Sequence, residues 1–220
     1  MMIPAGSKLL MIGDSITDCG RKRPMAEAIV GGGGIEALGS GYVSLVYALL
    51  TATHPMLRIQ MVNMGVAGET VRDLAARWSR DVLRLSPDWL SVMIGINDVW
   101  RQFDSPWQTE LHVLLDKYTQ TLEKLVRSTR SQLQGMVLMS PYYIEPDRSD
   151  PMRAMMDRYG VEVGEIAGRY GAIFVDTQAA FDRVLNEVHP QSLAPDGVHP
   201  NLVGHTILAR AFLHAMDFTW

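Results

Sequence analysis

A chain of 220 residues with 47% apolar and 20% charged side chains is long enough to close one core and bury roughly 70% of its unfolded surface, so a single domain over residues 1–220 is expected. The formal charge of −4 is scattered, Arg21-Lys22-Arg23 being the densest basic run, which excludes a basic stripe able to track nucleic acid. Lys8 interrupts the first apolar stretch, no stretch approaches the roughly 20 residues of a membrane span, and the lone cysteine, Cys19, excludes an internal disulfide and points to a reducing cytoplasm.

In chain order, Leu9 to Ile12 reads as the first strand and runs into Gly13-Asp14-Ser15-Ile16-Thr17-Asp18. The connection from Cys19 to Ser40 reads as a loop. Its Gly31 to Gly34 run neither follows a strand directly nor leads into Gly-Lys-Ser/Thr, so a flexible loop is expected rather than a phosphate cradle. Leu57 to Val62 is the second strand, followed by Asn63-Met64-Gly65-Val66-Ala67-Gly68. Thr70 with Asp73 marks a helix start, and Val71, Leu74, Ala75 and Trp78 follow on one face. Trp89 to Ile94 is the third strand and ends in Gly95-Ile96-Asn97-Asp98. Leu111, Leu114, Leu115, Tyr118, Leu122, Leu125 and Val126 recur at three- and four-residue steps, the stripe a helix needs to lie on a sheet. Met136 to Met139 and Ala172 to Val175 complete five strands, and Asn201 to Met216 is the closing helix. Strands alternating with helices predict βαβ units, hence a three-layer α/β/α sandwich around a five-stranded parallel sheet.

In such sheets the ligand crevice lies beyond the carboxyl ends of the strands, where three of the polar segments above fall. A hydroxyl at a strand-to-helix turn, as at Ser15, is a nucleophile only if a base removes its proton. Of the six histidines, only His199 has an acid three residues earlier in a tight turn, Pro195-Asp196-Gly197, where the carboxylate can fix the imidazole tautomer. His54, His112, His189, His205 and His214 read as surface or packing residues. A tetrahedral oxyanion needs fixed donors, and the N–H groups of Ser15 and Gly65 with the Asn97 amide could supply them. Asp14 reads as a buttress of the turn. Cys19 is a rival nucleophile without a histidine placed beside it by sequence. Trp100, Arg101, Trp107 and Tyr142 are candidates for the acceptor side, and Met64 and Val66 for a methyl-sized acyl pocket.

These segments carry a family likeness. GDSITD at Ser15, the Gly65 segment, GIND at Asn97 and DGVH at His199 resemble, block for block, the SGNH hydrolases, or GDSL-type esterases. GDSITDCGR, TVRDLAARW, MIGINDVWRQ, DPMRAMMDRYG, FVDTQAAF and GHTILARAF extend the likeness over nearly the whole chain, toward bacterial intracellular acetylxylan esterases. The resemblance implies a flavodoxin-like fold, a Ser15-His199-Asp196 triad, an oxyanion hole of Ser15, Gly65 and Asn97, and no cofactor. It implies O-deacetylation of short acetylated xylo-oligosaccharides, the alternative being another small acyl ester or a thioester. One departure is Pro195, where that subgroup has tryptophan; it bears on leaving-group contacts or a subunit interface, and a homo-oligomer is left open. A metal-dependent deacetylase drawing on His189, Asp196, His199 or His205 is a further alternative, without recognisable ligand spacing.

Overall fold

The computed structural model describes residues 2–28 and 34–219. Its sheet contains β1 (Lys8–Gly13), β2 (Ala26–Ala28), β3 (Gln60–Asn63), β4 (Trp89–Met93), β5 (Gly135–Met139) and β6 (Ile173–Val175), in the order β2-β3-β1-β4-β5-β6. The strands β1, β3, β4, β5 and β6 pair in parallel. Counted alone in chain order they run 2-1-3-4-5, the flavodoxin-like arrangement. Every residue of β4 and β5 is buried, which is why these strands read as unbroken apolar runs and not as alternating ones.

The helices are α1 (Ser15–Asp18), α2 (Tyr42–Thr53), α3 (Val71–Asp81), α4 (Ile96–Asp104), α5 (Leu115–Thr129), α6 (Pro151–Tyr170), α7 (Thr177–Leu185) and α8 (Leu202–Ala215). Helix α2 packs on α8, and α8 on α7, while α3, α5 and α6 pack in series. These two groups cover opposite faces of the sheet, as right-handed crossovers leaving β1 in both directions require. No helix among the described residues is long and apolar enough to cross a membrane.

The five expected strands are present within a few residues of their sequence bounds. Two differences have physical causes. The second strand starts at Gln60, because Pro55–Leu57 coils into a 3-10 turn. The loop after the first strand contains β2, an antiparallel edge strand on β3 too short to show a period. Gly31 to Gly33 lie outside the described residues, and Gly34 precedes the turn Ile35–Leu38. Helix α5 starts at Leu115, so Leu111 and Leu114 are exposed and not part of its buried stripe.

This topology sets the site. Strand β1 lies between β3 and β4, and the chain leaves it toward one neighbour first and the other later. The crevice at this reversal is where the segments after β1, β3 and β4 meet.

Candidate active site

Ser15 is the first residue of α1, and Asp14 is the N-cap, its Oδ1 accepting from Ile16 N at 3.0 Å. The Asp14 main-chain carbonyl accepts from Asp18 N, so the buried carboxyl caps the start of the turn while the backbone of the same residue closes it. Burial pushes Asp14 up to about 7, against the opposing pulls of the Ile16 N–H and His199.

Ser15 Oγ stands 3.0 Å from His199 Nε2, and His199 Nδ1 stands 2.7 Å from Asp196 Oδ2. Partial burial works against the Asp196 charge. The hydrogen bonds from His199 Nδ1 and from the N–H groups of His199 and Val198 outweigh it and hold the carboxyl below its ordinary value. An ionised Asp196 can only accept, so Nδ1 must carry the proton and Nε2 is left to accept from the Ser15 hydroxyl. The relay is open to solvent, with the side chains of His199 and Asp196 47% and 43% exposed.

The donors for an oxyanion differ from expectation at one position. Gly65 N donates to Asn63 Oδ1 at 2.9 Å, and is therefore unavailable. Gly65 is a glycine for another reason: a Cβ there would lie 2.2 Å from Asp18 N and 2.6 Å from the Thr17 carbonyl carbon, so the loop can press on α1 only without a side chain. Farther along the loop, Val66 N donates to Gly13 O, Ala67 N to Asp18 Oδ2, Glu69 N to Val66 O, Thr70 N to Asp73 Oδ2 and Val71 N to Asp98. Gly68 N alone in this stretch meets no acceptor among the described residues. Gly68 adopts φ +81° with open space around it, a left-handed conformation that suits glycine. Asn97 Nδ2 donates to Glu69 O at 2.9 Å, which brings the Asn97 amide beside Gly68 and leaves its second N–H free. Ser15 N is likewise unpaired among the described residues. The available donors are thus Ser15 N, Gly68 N and Asn97 Nδ2. A glycine two residues before a helix N-cap was the sequence signal for Gly68, but Gly65 offered the same residue type nearer the strand.

Asp98, also missed by sequence reasoning, is fully buried and accepts Val71 N with both oxygens, at 3.0 and 3.2 Å. Burial, reinforced by the nearby Asp14, pushes it up to about 8. It fastens the start of α3 to α4, one residue after Asn97.

Of the aromatic candidates, Trp100 is half-buried and stands edge-on to the His199 ring at 5.7 Å between centroids, with Arg101 over its indole at 5.5 Å. Tyr142 is not on the acceptor side. It is buried and donates to Val198 O, supporting the His199 loop from below. Trp107 is 93% exposed beyond α4, and Met64 is core, leaving Val66 as the accessible apolar side chain of its loop. His205 is buried, accepts Tyr42 N at Nδ1 and lies 3.5 Å from Cys19 Sγ. Burial lowers it to about 4, so it stays neutral and takes no proton from the thiol. The metal alternative needs three converging ligands, and among the described residues no three His, Cys, Asp or Glu side chains converge.

Residues 11–207 match the GDSL-like lipase/acylhydrolase family. A protein named acetylxylan esterase from Geobacillus stearothermophilus is 54% identical over 220 residues, covering all of this chain and 98% of that one. The crystal structure of Axe2, an acetylxylan esterase from that organism, matches with a TM-score of 0.96 at 55% identity over 100% of this chain and 98% of its own. Three further Axe2 structures are catalytic mutants in which a serine, a histidine or an aspartate is replaced by alanine. LAE5, an α/β hydrolase from the metagenome of Lake Arreo, matches at 52% identity and a TM-score of 0.93, over 99% and 98% of the two chains. On its sequence match, its fold and the arrangement of its polar loops, the chain belongs to the GDSL-like lipase/acylhydrolase family.

Proposed function

We propose that this chain is a single-domain serine esterase of the cytoplasm that removes acetyl groups from short acetylated xylo-oligosaccharides. The observation that carries the proposal is the continuous relay from Ser15 Oγ through His199 to Asp196, 3.0 and 2.7 Å long, beside three nitrogens that each keep one N–H without an acceptor among the described residues. The Geobacillus relative, an acetylxylan esterase aligned end to end, supports the substrate class, and the Axe2 mutants at a serine, a histidine and an aspartate support the triad chemistry. The single cysteine supports the compartment, the dispersed charge supports a carbohydrate partner over nucleic acid, and exposed Trp107 and Leu114 leave room for a homo-oligomer.

In this reading, His199 Nε2 takes the hydroxyl proton as Ser15 Oγ attacks the acetyl carbon. The resulting oxyanion accepts from Ser15 N, Gly68 N and Asn97 Nδ2, donors whose orientation costs nothing at the moment of reaction. His199 then returns the proton to the departing sugar oxygen, and an acetyl-Ser15 ester remains. Water, deprotonated by His199, releases acetate along the reverse path. The sugar leaves from the His199 side, where Trp100 offers a flat apolar ring with the Arg101 guanidinium above it.

The test is a chain-length series of aryl esters beside acetylated xylobiose, with products followed by NMR. A long acyl chain gains roughly 0.8 kcal/mol per buried methylene only where an apolar trough exists, so acetyl should be fastest and acetate should be released from the sugar. A maximum at eight carbons or more, or an untouched acetylated xylobiose, overturns the substrate assignment.

A further inference from the structure

We infer that Arg77 is a positioning residue that sets the three oxyanion donors relative to one another, an inference that rests on the serine-esterase reading above. Arg77 lies on α3, is 7% exposed and touches no reacting atom. Its Nη2 donates to Gly13 O at 3.2 Å, two residues before Ser15. Its Nη1 donates to Met64 O at 2.7 Å, where the loop to Gly68 begins, and to Asp81 Oδ2 at 3.0 Å. Its Nε donates to Glu69 Oε2 at 2.5 Å. Glu69 directly follows Gly68, and its carbonyl is the acceptor that orients the Asn97 amide. One rigid, planar fork is therefore bonded to the segments that carry Ser15 and Gly68 and to the residue that aims Asn97.

Charge balance alone does not explain this arrangement. Arg77 pairs with Glu69 and with Asp81, which Arg80 also contacts, but ion pairing requires no bond to a main-chain carbonyl, and a buried ion pair by itself adds little stability. The two carbonyls, Gly13 O and Met64 O, lie at the ends of neighbouring strands and leave the sheet toward the crevice. Bonding both to one guanidinium couples the end of β1 to the end of β3, and lysine, a point charge on a flexible stem, cannot reproduce that fork. Misplacement of reacting groups by about 1 Å costs on the order of 100-fold in rate.

The experiment compares Arg77→Lys and Glu69→Gln in the wild-type and Asn97→Ala backgrounds, reading kcat and KM on an aryl acetate together with thermal unfolding. Arg77→Lys should lower kcat by about 10- to 100-fold with KM changed less than about threefold. In the Asn97→Ala background, which lacks one of the three donors that Arg77 sets, the same substitution should cost several-fold less than in the wild type, since residues acting as one unit are not additive. Glu69→Gln should show a smaller loss with the same dependence on background, and it carries the test if Arg77→Lys does not fold. Wild-type kcat in the folded variants, an effect on KM alone, or an equal loss in both backgrounds would overturn the inference. Wild-type acetate release and its loss in Ser15→Ala test the esterase reading separately.

Discussion

Truncating Asn97 to alanine removes the one oxyanion donor that comes from a side chain. Asn97 is 2% exposed and held by its bond to Glu69 O at 2.9 Å, so its second N–H is aimed before substrate arrives. Loss of one such preorganised donor costs about 10²- to 10³-fold in kcat, or about 3–4 kcal/mol of transition-state stabilisation, with the other two donors still in place. The amide matters mainly once charge has developed, so KM should move less than about threefold. Asn97→Ala also leaves the Glu69 carbonyl without its donor, a cost of about 1–3 kcal/mol in stability, and for a chain of this size each kcal/mol lowers Tm by about 2–4 °C. Asn97→Asp keeps the shape, but replaces a donor with a carboxylate that repels the oxyanion, and should lose more activity than the alanine variant. The assay is steady-state hydrolysis of an aryl acetate alongside differential scanning calorimetry. Retention of kcat within about fivefold with a raised KM would show that Asn97 binds the ground state, and would refute the assignment.

Ser15→Ala should lose about 10³-fold or more of kcat with an unchanged melting transition, while chelator leaves the wild type fully active; loss in chelator with recovery on zinc addition would reinstate metal chemistry. Gly65→Ala should be strongly destabilised, because its Cβ would strike the Asp18 and Thr17 backbone, whereas Gly68→Ala should fold and lose kcat as the loop relaxes from φ +81°. A stable, fully active Gly65→Ala by urea titration and turnover would contradict this division of roles. Asp14 and Asp98 rise from 3.8 to about 7 and about 8 in the folded state, so the stability they contribute is present below about pH 4 and is lost as pH rises through about 7 to 8. Urea midpoints near pH 5 and pH 9 should decline less in Asp98→Asn than in wild type, and equal declines would be evidence against the buried, uncharged state of Asp98.

How far the sequence could be read depended on whether the decisive contact was local. Asp196 and His199 are three residues apart in one turn, so their pairing follows from short-range geometry. The apolar runs at Leu9 to Ile12, Trp89 to Ile94 and Met136 to Met139 announce strands buried on both faces, and their alternation with helical stripes restricts the topology to a doubly wound sheet. That topology in turn places Ser15 between the loops that carry Gly68 and Asn97.

The choice between Gly65 and Gly68 could not be read this way. Both are loop glycines after the same strand, and what separates them is the Asn63 side chain folding onto one N–H and the backbone of α1 pressing on one Cα. Tyr142, Trp107 and Trp100 look equivalent as aromatic residues near motifs, yet one is core, one is solvent-facing and one touches His199. Arg77 sits within a helix whose sequence shows only amphipathicity, and its bonds to Gly13 and Met64 span 64 and 13 residues. The sequence by itself determined the five parallel strands and the Asp196–His199 pair, because periodicity and a three-residue spacing act over short range. Only the tertiary structure decided which N–H groups remain free for an oxyanion, because that depends on which acceptors distant segments bring within about 3 Å.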